Sequence, residues 1–151
     1  MTASHRPAGR DEGSVLVLML AFAVVAVLLV AVVTDASALY LTRRSLAGSA
    51  DGAALAAAQE LDRVALYTGQ PGEALPLDPD ATLDAVRGYV SAADLESRFD
   101  DFEVVGVATD AESVTVTLRA SRRLPFLGVF LAAPDGIEIE ATATARAPYV
   151  D

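Results

Sequence analysis

The chain of 151 residues contains no cysteine, no asparagine and no lysine, and it has a single histidine, His5. Without cysteine there is no disulfide frame and no thiolate ligand for a metal. Without asparagine there is no acceptor for N-glycosylation. With one histidine, close to the N-terminus, neither a Ser-His-Asp nor a Cys-His nucleophile unit can be assembled. Neither a GxxxxGK[ST] phosphate loop nor a GxGxxG turn between strand and helix is found. Together these gaps argue against a catalytic protein and against a bound cofactor.

A second kind of absence is local. Residues 14–33, SVLVLMLAFAVVAVLLVAVV, hold no charge, no proline and no glycine. A helix of about 20 residues rising ~1.5 Å each crosses the ~30 Å hydrocarbon core of a bilayer. The run therefore predicts a transmembrane helix. Hydrophobic residues make up 53% of the chain and mean hydropathy is +0.40, as expected for one span plus a small domain. Ala36-Ser37-Ala38 satisfies the small-x-small rule of a signal peptidase site. The apolar run exceeds the roughly 7–15 residues of a signal-peptide core, however, which favours an uncleaved anchor.

The net charge is −10, and residues 34–151 carry 9 Arg against 19 acidic residues. The excess lies past the span, and an acidic domain repels phosphate backbones, so nucleic acid is excluded as a partner. His5, Arg6 and Arg10 precede the span, which places a cytoplasmic arm at 1–13 and an extracytoplasmic domain at 34–151. Arg43 and Arg44 weaken that orientation without reversing it.

Past the span the chain stays free of proline through residue 66 and is rich in alanine, so the helix is expected to run on to residues 65–68. Asp35 at its exit from the span reads as a carboxylate in interfacial water, or as a polar contact to a partner helix. Gly48, Gly52 and Ala56 recur every four residues and share one helix face. Such a face admits close approach of the chain's own sheet or of a neighbouring helix. Asp51, beside it, is either solvated or met by a partner's arginine.

Gly69, Pro71, Gly72 and Pro76 predict a loop. Asp78-Pro79 reads as an N-cap with proline at N1, opening a short amphipathic helix over 79–90 with Leu83, Val86 and Val90 on one face. Residues 91–98 continue for another turn or two. Asp78, Asp80, Thr82 and Asp84 resemble the start of a calcium loop. Leu83 stands where glycine is needed and Tyr89 where the bidentate glutamate belongs, so the cluster reads as a solvated helix start. Asp35-Ala36-Ser37 begins a DxSxS metal pattern that Leu39 breaks.

Three strands come next, at 102–109, 113–120 and 137–147. The first is fairly apolar on both faces. The second puts Val114, Val116, Leu118 and Ala120 on one face. The third alternates Ile137, Ile139, Ala141, Ala143, Ala145 and Ala147 with polar residues, the period of half-buried antiparallel strands. The near-all-alanine face of the third is expected over the alanine-rich helix. Asp110-Ala111-Glu112 closes a hairpin. The stretch 122–131, with Arg122, Arg123, Phe126 and Phe130, reads as a loop capping the core or as a dip into the membrane surface. The predicted fold is α+β: a long N-terminal transmembrane helix extending into a small domain with a three-stranded antiparallel sheet and a short second helix.

Residues 12–61 resemble the N-terminus of TadE/TadG-related proteins of Flp-type (tight adherence) pilus systems. The resemblance rests on Gly13 before the span, Asp35 just outside it, Arg43-Arg44, and the block from Ser49 through Asp51 to Ala58. The 137–148 strand is similar to the family's usual end. The resemblance implies a non-enzymatic, pilin-like or pseudopilin-like membrane protein. Its partners would be the membrane and other pilin-like or secretion-apparatus proteins, in a homo- or hetero-oligomer held by the N-terminal helix. It also implies Gly13-Ser14 as a prepilin-type processing junction, with Leu18 where the family's mature glutamate usually stands. The alternative is a membrane-anchored binding module unrelated to pili.

Overall fold

A computed structural model describes residues 11–68, 79–110, 113–126, 128 and 136–146. The first element is one unbroken helix, α1, Asp11–Thr68. Its 58 residues reach about 87 Å at ~1.5 Å per residue. With no proline inside it, nothing removes a backbone donor or forces a kink. Its hydroxyls turn inward on the helix itself. Thr34 donates to the Val30 carbonyl at 2.8 Å and Thr42 to the Ala38 carbonyl at 3.0 Å, which lowers the cost of carrying them into apolar surroundings.

The helix has two halves. From Gly13 to Val30 every residue is exposed, including Val15, Leu20, Phe22, Val27 and Leu29. This is the one segment among the described residues long and apolar enough to cross a membrane, and none of it is buried in the protein. Farther along, one stripe is covered: Asp35, Leu39, Thr42, Leu46, Ala50, Ala53 and Ala57, at steps of three and four that keep them on one face.

That face carries the rest of the protein. α2 (Pro79–Ala92) and α3 (Leu95–Arg98) lead into a meander of β1 (Asp100–Thr109), β2 (Ser113–Arg122) and β3 (Ile137–Arg146). The sheet is antiparallel with order β1-β2-β3. β2 and β3 lie against α1, and β1 reaches α2 and α3. Val114, Val116, Leu118 and Ala120 of β2 and Ile139, Ala141 and Ala143 of β3 meet Leu46, Ala50, Ala53, Ala54 and Ala57 of α1 in one core, closed by Val86, Leu95 and Phe99. The alanine face of β3 does pack on the alanine stretch of α1.

The β2–β3 register is regular over ten pairs, from Ser113↔Arg146 to Arg122↔Ile137. Outward, Thr115 and Thr117 hydrogen-bond Thr144 and Thr142. Arg119 lies between Glu103, Glu138 and Glu140 at 3.7, 2.8 and 3.4 Å, a cross-strand ion cluster. β1 is irregular. Register shifts fall between Asp100 and Glu103 and between Val104 and Gly106. The second pushes Val105 outward and lets both Val104 and Val107 turn inward, as a bulge does. This is why the strand reads as apolar on both faces. At the first hairpin, Asp110 accepts from the backbone N–H and the hydroxyl of Ser113. Asp78, Ala111, Glu112, Phe130 and Ala147 lie outside the described residues, as do the loop at 69–78 and most of the arm at 1–13.

Candidate functional site

A buried polar contact marks the place where the bare half of α1 meets the covered half. β2 runs toward it: the strand ends at Arg122, Arg123 is exposed, and Leu124 turns back into the protein. A single turn opens there, in which the Gly128 N–H donates to the Leu124 carbonyl at 3.1 Å. Pro125 stands at the first position, where its missing N–H costs nothing. The residue before it, Leu124, has no side-chain oxygen to cap the turn, so the next N–H needs an acceptor from elsewhere. Asp35 supplies it. The Phe126 N–H donates to Asp35 Oδ2 at 3.2 Å, and Asp35 is 0% exposed.

This corrects the interfacial-water reading of Asp35. The carboxyl is buried in the protein and caps a turn of its own chain, 91 residues away in sequence. The loop after β2 divides its apolar side chains between the inside and the surface. Leu124 seals the core, and Phe126 stays 49% exposed at the level of Asp35, beside the end of the bare segment. Arg122 and Arg123 are exposed. Phe130 lies outside the described residues.

Within the chain, the small-residue face of α1 is covered unevenly. Gly48 is exposed and an added Cβ there would meet open space. Gly52 lies under Tyr89 of α2, whose hydroxyl a Cβ would overlap. Ala56 is half-buried and Asp51 exposed. Contact with the sheet is made instead through Ala50, Ala53 and Ala57, which lie roughly 100–160° around the helix from Gly52. Gly13 and Ser14 stand exposed near the start of α1.

Two clefts stand out among the described residues. One of about 520 Å³ lies between α2 and β1, lined by Leu83, Val90, Phe102 and Val104 with Arg87 and Asp94 at its polar side. A smaller one of about 230 Å³ lies between α1 at Leu41, Thr42 and Ser45 and the residues Arg98, Asp100, Ser121 and Arg122. Of the calcium-like cluster, Asp80 and Asp84 are exposed and Thr82 is buried, with Asp84 3.5 Å from Arg87. Among the described residues no three His, Asp or Glu side chains gather in a way that could hold a metal.

An apolar helix of membrane-spanning length that continues into a small α+β head defines a class of proteins suggestive of single-pass anchoring. Residues 13–60 match the model of a family described as putative Flp pilus-assembly TadE/G-like. The match takes in the bare half of α1, Asp35, Arg43-Arg44 and the alanine block, and ends before α2 and the sheet. No curated protein and no solved structure matches the chain.

Proposed function

We propose that the protein is a non-enzymatic, pilin-like or pseudopilin-like component of a Flp-type pilus or a related secretion apparatus. It is anchored by α1 with its N-terminus in the cytoplasm and its head outside. The observation that carries this reading is the continuity of α1. A bare apolar half and a covered half form one rod, and the family match falls on the stretch that joins them. A rod of this kind keeps its apolar half available to other apolar helices while the head holds a fixed position above the bilayer. Helix association in lipid is governed by close packing and polar contacts.

The test is photocrosslinking from Val24 and Leu28 in native membranes, with intact-mass analysis of the mature chain. Crosslinks to other single-span pilus or secretion subunits are the expected result. A mature chain that starts at Ser14 supports prepilin-type processing, and a full-length chain supports an assembly factor. A mature chain starting at Leu39 overturns the anchored reading, because the span would have been removed. The cleft between α2 and β1 favours a second reading, a membrane-anchored binding module. Under that reading crosslinks arise from Leu83 or Phe102 rather than from the span.

A further inference from the structure

The protein is strongly acidic as a whole, yet its arginines are not spread evenly. Arg43 and Arg44 on α1, Arg98 at the end of α3, Arg122 at the end of β2 and Arg123 just after it are all exposed. None of the five forms an ion pair among the described residues, whereas Arg87 and Arg119 do. Arg98 packs on the Phe99 ring at 5.8 Å. It shares with Arg122 the small cleft whose floor is Leu41, Thr42 and Ser45. Carboxylates share this end: Asp100 lines the same cleft, Asp101 accepts from the Ser121 hydroxyl at 2.6 Å, and Asp35 caps the turn after β2. Five exposed arginines, contributed by α1, α3 and the end of β2, outnumber these three carboxylates and leave this end of the head positive.

Height decides what such a collar meets. The apolar run ends at Val33. Arg43 and Arg44 stand about 15 Å beyond it along the helix, at ~1.5 Å per residue, and Phe126 sits level with Asp35. Headgroups occupy roughly 5–8 Å on each side of the hydrocarbon core. Long arginine side chains bend toward a charged boundary, and their attraction to it persists over a Debye length of ~8 Å. An exposed aromatic at the boundary with guanidiniums behind it matches the chemistry of an anionic lipid surface.

We infer that the membrane-facing end of the head is a lipid-binding collar. Arg43, Arg44, Arg98, Arg122 and Arg123 engage the phosphodiester headgroups of anionic phospholipids, and Phe126 enters the acyl boundary. This rests on the reading of α1 as a membrane span. The collar holds the head down on the bilayer and gives the protein a preference for acidic lipid around its rod.

The test uses the full chain in vesicles of phosphatidylcholine with and without phosphatidylglycerol. The chain has no tryptophan, so Phe126→Trp introduces a single indole reporter and leaves the backbone N–H to Asp35 in place. Brominated phosphatidylglycerol is expected to quench that reporter more strongly than brominated phosphatidylcholine, with each arginine contributing up to about fivefold in preference. Arg43→Gln, Arg44→Gln, Arg98→Gln, Arg122→Gln and Arg123→Gln together, all at exposed positions, bring the two lipids close to equality with unchanged circular dichroism. An unquenched reporter overturns the collar, and so does equal quenching by both lipids before the arginines are changed. Alkaline extraction of the same vesicles keeps the two ideas apart. A chain retained in neutral vesicles but indifferent to phosphatidylglycerol defeats the collar alone, whereas a chain that washes off defeats the span and the collar together.

Discussion

The two halves of α1 obey different rules although they are one helix. In the half from Gly13 to Val30, large apolar side chains occur all round and none is buried against the described residues. In the half from Asp35 to Ala58, burial returns every three or four residues, and the buried side chains are mostly alanine. Composition alone specifies the first, because a helix in hydrocarbon needs only apolar side chains and satisfied backbone groups. Phase and size specify the second, because a sheet rests on it and each added methylene is felt. The same substitution should therefore mean different things on either side of Asp35.

The largest effect belongs to the bare half. Val24→Arg with Leu28→Arg costs about 2.5–3.5 kcal/mol per charge at the bilayer centre. Alkaline extraction should release the double variant while the head keeps its circular dichroism. The comparison fails if the head unfolds with it. Next comes the covered half's partner. Leu118, fully buried, should lose about 2–5 kcal/mol on change to alanine, read as a lower denaturation midpoint in detergent. Leu20→Ala, in the bare half, should leave that midpoint where it was.

At the junction, Asp35→Ala removes the acceptor for the Phe126 N–H and should cost about 1–3 kcal/mol. Limited proteolysis after Arg122 or Arg123 should speed up, and Asp35→Asn, which keeps an acceptor, should recover most of the protection. The smallest test contrasts two glycines of the covered half. Gly48→Ala fills open space and should stabilise the helix by up to about 1 kcal/mol. Gly52→Ala must first displace the Tyr89 ring and should gain little or nothing. Equal gains at both would mean that Tyr89 does not pack as described.

Local pattern makes much of this legible. The apolar run, the proline-free stretch after it, the alternation of β2 and β3 and the pairing of alanine faces all derive from spacing and side-chain size, and all are present in the structure. β1 is harder, because its bulges break the period of two that identifies a strand face. Asp35 escapes for a different reason. Its partner is a backbone N–H after β2, and no local period reports a contact that spans 91 residues. One clue is present in the chain: the turn after β2 begins Leu-Pro-Phe, with no oxygen-bearing residue to cap it, so an acceptor has to come from outside. The glycine face fails similarly. Spacing shows that Gly48 and Gly52 share a side of the helix, but only the position of α2 decides that Tyr89 covers one and not the other.

The unbroken helix between Val33 and Leu46 also works as a clock hand. Each residue in that segment turns the head by about 100° and lifts it ~1.5 Å. The compass bearing of the head over the bilayer is thus set by residue count. A one-residue insertion beside Ala36 would leave anchor and sheet chemically intact, yet swing the alanine stripe away from the bearing at which Asp35 meets the turn after β2.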